Sequence, residues 1–189
     1  MPNLGSISLQ RGANTALSEL IPGGNGPIAV GFGWNIIQGN GPATELVASA
    51  VLCDASGKAL SDEHLVFFNQ LASPDGAVKY VTDGDQEELD LDLPAVPEDV
   101  EKIVFVVYAD PDVRKPGNFG GVRGAYIRIS DVNGRELVRY EIEEGSGVDV
   151  TAMIFGEVYR NKGAWKLRAV GQGYKTGLAG VAKDFGVAI

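Results

Sequence analysis

Apolar and polar residues alternate with period two along much of this chain, the mark of strands that bury one face. Residues 6–9 read as a first strand. In residues 28–34, Ile28, Val30, Phe32 and Trp34 share one face, while Ala29, Gly31 and Gly33 line the other. Small residues on that second face leave room for something to lie close against it. Residues 46–52, 65–68 and 78–81 are further strand-length runs. In residues 88–93, Leu89, Leu91 and Leu93 point inward, and Glu88, Asp90 and Asp92 point outward. Residues 103–108 are β-branched and aromatic and read as a central strand. Residues 126–129 and 136–142 flank Asn133-Gly134, the favoured hairpin dipeptide, and residues 151–160 and 165–170 flank Asn161-Lys162-Gly163. Helical spacing is best in residues 178–185, through Leu178, Val181, Ala182 and Phe185.

Turn signals separate these runs: Pro22-Gly23-Gly24-Asn25-Gly26-Pro27, Asp54-Ala55-Ser56-Gly57 and Ser73-Pro74-Asp75-Gly76. The pattern predicts a mainly-β chain: a two-sheet β-sandwich with short helices, one of them near the C-terminus. No repeat or linker interrupts the 189 residues, which suit one domain over 1–189.

Composition sharpens this picture in three ways. Twenty-six glycines fit a chain that turns often. A formal net charge of −9 repels nucleic acid and anionic lipid and attracts cations. Cys53 is the only cysteine, so the fold does not depend on an internal disulfide. The first nine residues lack the basic and apolar regions of a signal peptide, and no apolar run approaches the roughly 20 residues that span a bilayer. The expectation is a cytoplasmic protein with no direct membrane insertion.

Catalytic chemistry finds little support. His64 is the only histidine, it sits in a polar stretch, and no G-x-S-x-G is present. Zinc sites rely on Cys and His clusters, and this chain has one of each. Gly117-Asn118-Phe119-Gly120-Gly121 and Gly171-Gln172-Gly173-Tyr174 lack P-loop spacing and read as turns. The acidic stretch Asp83-Gly84-Asp85-Gln86-Glu87-Glu88 admits two readings. It is a solvated hairpin loop, or it offers oxygen donors to Ca²⁺, although it is not an EF-hand.

Several segments together resemble the TerD family of tellurium-resistance and stress-response proteins. Gly31-Phe32-Gly33-Trp34 is similar to its glycine-tryptophan segment, Phe67-Phe68-Asn69 to an aromatic-asparagine element, and Asp83-Gly84-Asp85-Gln86-Glu87-Glu88 to its acidic loop. Thr151-Ala152-Met153-Ile154-Phe155-Gly156-Glu157-Val158-Tyr159-Arg160 and the stretch from Trp165 to Tyr174 resemble its C-terminal hairpin. The resemblance implies a β-sandwich, a role in resistance to tellurite and other stresses, Ca²⁺ bound by loops at one end, and no established enzymatic activity. Three departures weaken the metal site it implies. Asn35 stands where the family has Asp, Glu45-Leu46-Val47-Ala48-Ser49 replaces Asp-Leu-Asp-Ala-Ser, and the loop before Asp83 is shortened. Fewer carboxylates mean weaker calcium. The resemblance leaves Asp83, Asp85, Glu87 and Asn69, with Asn35 and Glu45, as candidate ligands for one weakly held Ca²⁺ or none.

Three functions stay open: a non-catalytic stress protein acting through calcium-influenced interaction with other stress-resistance proteins, including a membrane-associated complex; an enzyme or binding protein for a small anion or metabolite using the acidic loop and arginines; and a self-assembling structural module. Among Arg123, Arg128, Arg160 and Arg168, structural pairing, for example with Glu157, ranks ahead of anion binding.

Overall fold

A computed structural model describes residues 5–36, 46–81, 87–109, 119–142 and 150–188. Two six-stranded sheets pack face to face. Sheet A runs β1 (Ile7–Leu9), β10 (Glu136–Ile142), β9 (Val122–Ser130), β3 (Pro27–Ile36), β7 (Glu87–Asp92) and β6 (Val78–Val81). Sheet B runs β2 (Asn14–Ala16), β12 (Ala164–Tyr174), β11 (Ala152–Asn161), β8 (Lys102–Ala109), β4 (Leu46–Cys53) and β5 (Leu65–Val66). Every pairing is antiparallel except β1 on β10. The predicted sandwich is therefore present.

Alternation decides which face of each strand is buried. Val30 and Phe32 on β3, Leu89 and Leu91 on β7, Ile103, Phe105 and Val107 on β8, and Phe155 and Val158 on β11 fill the space between the sheets. Phe32 reaches across from sheet A, its ring centroid 6.0 Å from Phe105 and 6.2 Å from Phe155. A second apolar cluster lies on the outer face of sheet B. There α2 (Gly177–Phe185) sets Leu178, Val181, Ala182 and Phe185 against Val51, Val104, Val106 and Ile154. Gly186, at φ 74°, ends α2 in the left-handed conformation, with its N–H on Ala182 O and Lys183 O.

Chain crossings close both sides of the sandwich. Between β1 and β2 the Gly12 N–H donates to Ala169 O at 2.8 Å, so the N-terminal segment passes from sheet A to sheet B. On the other side β5 leads through a tight turn at Phe67–Gln70 to β6. The strand expected over 65–68 stops at Val66 because Phe67 and Gln70 bond each other instead of β4, leaving Phe68 39% exposed. Residues 171–174, expected as a turn, continue β12, because Ala152, Met153 and Ile154 supply ladder partners and a bulge absorbs Gly171 at φ 68°.

The room beside β3 is used within the chain itself. A Cβ on Gly33 would stand 2.3 Å from the Tyr126 ring, which lies over that glycine, and the Arg139 guanidinium stacks on the ring at 3.9 Å.

Cys53 is fully buried, and burial, more than the nearby Asp54 and Glu157 carboxylates, pushes its thiol up to about 12, against the lowering effect of Lys102. The thiolate is the reactive form. Native protein is expected to react with a disulfide reagent on the order of a thousandfold more slowly than protein unfolded in urea. Equal rates by absorbance-monitored labelling would contradict this burial.

Candidate functional site

Strand registers bring many strand ends together. Phe32 pairs with Glu87, Ile36 with Val122 and Ile142 with Ala125, so β3, β7, β9 and β10 share one end of sheet A. Leu46 pairs with Ala109, and Ala152 with both Tyr108 and Tyr174, which defines one end of sheet B. Glu87 shows that these two ends coincide, because its Oε1 accepts from the Ala48 N–H of the opposite sheet at 3.4 Å. Three of the candidate ligands, Asp83, Asp85 and Glu45, lie outside the described residues, in the stretches before Glu87 and Leu46.

Glu87 shares its strand face with Leu89 and Leu91 and so points between the sheets. Its second carboxylate oxygen accepts from the Tyr80 hydroxyl. Burial raises the Glu87 pKa, although the hydrogen bonds from Tyr80 and Ala48 favour the charged form. The Tyr80 phenol is pushed up by its own burial and then by Glu87. Shifted carboxylates occur both at functional sites and in structural pairs.

This geometry carries a pH prediction. A raised folded-state pKa means that the native protein holds the Glu87 proton more tightly than the unfolded chain does. The resulting stability is fully present below the ordinary carboxylate value of 4.5 and is lost as pH rises through the elevated value. Glu87→Gln, which keeps an acceptor for Ala48 and a partner for Tyr80, is expected to remove that loss. In chelator, its urea midpoint should exceed that of the unsubstituted protein at pH 7 and converge with it near pH 4. A variant less stable at pH 7 would show that the charge is favourably compensated.

The remaining candidates are spread over the same end. Asn35 is exposed near the end of β3, opposite Gly124. Asn69 is exposed in the Phe67–Gln70 turn. Val47 packs against the cluster beneath α2. Among the described residues, no three His, Cys, Asp or Glu side chains gather closely enough to hold a metal. Glu87 turns between the sheets whereas Asn35 and Asn69 are exposed; all three are oxygen donors of the kind Ca²⁺ takes, and a site of six to eight oxygens would also draw on Asp83, Asp85 and Glu45.

Other polar groups have local tasks. The Ser61 hydroxyl lies 2.7 Å from His64 Nδ1 and also accepts from the Glu63 N–H, capping a single 3₁₀ turn (Asp62–His64). Glu157 pairs with Arg168 at 3.4 Å and Lys102 at 3.6 Å, and Arg128 with Glu136 at 3.7 Å. Arg160 bonds three main-chain carbonyls rather than a carboxylate, a role invisible in sequence because carbonyls carry no residue identity. Tyr80 was likewise missed; its alternation with Val78 on one strand face was the available signal.

The model of the TerD domain matches residues 6–185. The chain is 43% identical to tellurium resistance protein TerD of Alcaligenes sp, over 96% of this chain and 98% of that protein. It is 36% identical to general stress protein 16U of Bacillus subtilis (strain 168), over 97% and 99% of the two chains. A crystal structure of a homologue of telluride resistance protein (TerD) from Streptomyces coelicolor A3(2) superposes with a TM-score of 0.67, covering 87% of this chain and 99% of that one at 20% identity, which speaks for the fold alone. With a domain model spanning nearly all of its length and full-length relatives above 30% identity, the chain belongs to the TerD family of tellurium-resistance and stress-response proteins.

Proposed function

We propose that this protein is a non-catalytic stress-response component that works by docking other stress-resistance proteins, with a weakly bound Ca²⁺ tuning the docking end of the sandwich. The observation that carries the reading is Glu87, a raised-pKa carboxylate at the end where the β6–β7 and β3–β4 strand ends meet. Relatives at this level of identity are named for resistance and stress rather than for a reaction.

Asp83, Asp85 and Glu87, with Asn69, Asn35 and Glu45, would hold the ion. Calcium would supply positive charge among these carboxylates and thereby order the segments that bear them. A charge of −9 favours the cation and disfavours nucleic acid as a partner. No helix among the described residues is long and apolar enough to cross a membrane; in this reading a membrane-associated complex would be reached through another protein.

A thermal melt in Ca²⁺ against chelator tests this. At about ten times Kd, a ligand of the native state alone adds about 1.4 kcal/mol, or roughly 3–6 °C for a chain of this size. Asp83→Ala with Asp85→Ala is expected to abolish the rise. Superimposed curves for the unsubstituted protein up to millimolar Ca²⁺ would leave a metal-independent interaction domain.

A further inference from the structure

We propose that the outer face of sheet B is a docking site for an amphipathic helix of a partner protein, and that α2 is its resident, displaceable occupant. The face is apolar across five neighbouring strands: Val51 on β4, Leu65 on β5, Val104 on β8, Ile154 on β11 and Val170 on β12 all belong to it. Five strands about 4.8 Å apart span about 19 Å, whereas the nine residues of α2 make a helix about 13 Å long. The face is larger than its occupant. Val47, Phe67 and Tyr174 are only partly buried where they pack on this cluster, and Phe68, 39% exposed, meets Phe67 edge to face with ring centroids 5.5 Å apart.

The hold on α2 is uneven. Among the described residues, positions 177–182 make no hydrogen bond to the sandwich, and no side chain caps the first turn. The polar ties gather at the other end. The Tyr174 hydroxyl donates to Asp184 Oδ2 at 2.9 Å, Lys58 Nζ donates to Asp184 O, the Ala59 N–H donates to Phe185 O at 2.8 Å, and the Ala188 N–H donates to Asp62 Oδ1 at 2.9 Å. Gly177 and Gly180 are poor helix formers, and a helix below roughly 12–15 residues is marginal without tertiary contact. α2 is therefore helical only while it lies on the sheet, and segments of this kind open at a lower free energy than the whole domain. Its departure uncovers Cys53, which belongs to the same cluster and whose bridge partner Ala59 is bonded to Phe185 O.

The resident helix displays what the face recognises. Leu178, Val181, Ala182 and Phe185 stand at i, i+3, i+4 and i+7 and are all buried, while Asp184, at i+6, meets the Tyr174 hydroxyl. The partner helix thus carries this apolar spacing and a carboxylate at i+6, and about 13 or more residues let it cross all five strands. Laying the apolar face of a helix into an apolar groove is a recurrent mode of recognition. A resident helix makes such docking self-limiting, because the apparent Kd is the intrinsic Kd divided by the fraction of molecules with α2 open. Glu87 lies between the sheets and this face lies outside them, so the docking does not rest on calcium.

The full chain in chelator, with a fluorescent synthetic peptide of residues 175–189 as the probe helix, tests this. By fluorescence anisotropy the peptide should bind Val181→Asp, which drives α2 off the face, at least about tenfold more tightly than the unsubstituted chain. Asp184→Ala removes an exposed side chain and its bond from Tyr174; it should shift affinity the same way by roughly threefold, and it carries the test where Val181→Asp does not fold. Cys53 gives a second readout. Its reaction with a disulfide reagent should quicken at least about tenfold in Val181→Asp while amides at the centre of β3 keep their protection, and saturating peptide should slow it again. A peptide that itself carries Val181→Asp should not bind. No binding to any of the three chains at about 1 mM peptide, equal affinity for all three, binding that leaves Cys53 unshielded, or Cys53 labelling that tracks exchange at the centre of β3 would each overturn the proposal. None of these outcomes alters the Ca²⁺-dependent melt, so the two readings fail separately.

Discussion

Phe32→Ala is expected to destabilise the protein by about 3–5 kcal/mol, a fall of roughly 6–20 °C in melting temperature. Phe32 is fully buried at the centre of β3. Its ring is the sheet A partner of both Phe105 and Phe155 on sheet B, tilted 61° and 54° to them. Tilted aromatic pairs contribute about 0.5–1.5 kcal/mol beyond the area they bury, and a truncated ring leaves a cavity that the close-packed sheets cannot fill. Phe32→Leu retains most of the volume and should lose less than half as much. Urea unfolding with an unchanged m-value is the appropriate measure, since a change in m would indicate a looser native or denatured state. A loss below about 1 kcal/mol would mean that the two sheets slide together over the vacated space.

The position of Phe32 illustrates what was readable in the sequence. Alternation in residues 28–34 and 88–93 placed Phe32, Leu89 and Leu91 inward, because period two in a half-buried strand leaves no other choice. Asn133-Gly134 and Asn161-Lys162-Gly163 marked their hairpins because both need left-handed backbone, and Gly134, Lys162 and Gly163 adopt it. What failed to show was non-local or short. The parallel addition of β1 to β10, and β2 at only three residues, depend on partners over a hundred residues away. The resemblance, rather than residue type or periodicity, singled out Glu87 and Asn69, and only three-dimensional packing reveals that Glu87 turns inward to Tyr80 and to Ala48 of the other sheet. Gly33 was read as making room, and the occupant, Tyr126, comes from a strand whose register no local pattern encodes.

Arg160→Ala is expected to cost about 2–4 kcal/mol, and Arg160→Lys is expected not to restore it. The guanidinium donates from Nε to Val100 O at 2.8 Å, and from Nη2 to Val96 O at 3.1 Å and Pro97 O at 2.9 Å. Its flat face lies 4.3 Å from the centre of the Trp165 ring, its cross-strand neighbour. Those three carbonyls belong to the segment that carries the chain from β7 in sheet A to β8 in sheet B, so one side chain fixes a crossing between the layers. Charged donors make hydrogen bonds of about 1.5–3 kcal/mol each, but the segment is partly exposed and water recovers a share once arginine is gone. Lysine brings the charge without the planar fork, so it cannot stack on Trp165 and meet three differently placed oxygens together. The local consequence separates this clamp from a generic loss of charge. In hydrogen exchange, the amide of Glu101, bonded to Cys53 O, and that of Arg160, bonded to Glu101 O, should lose protection before the centre of β3 does. Uniform loss across both sheets would instead place Arg160 in the cooperative core, and full rescue by lysine would reduce its role to charge.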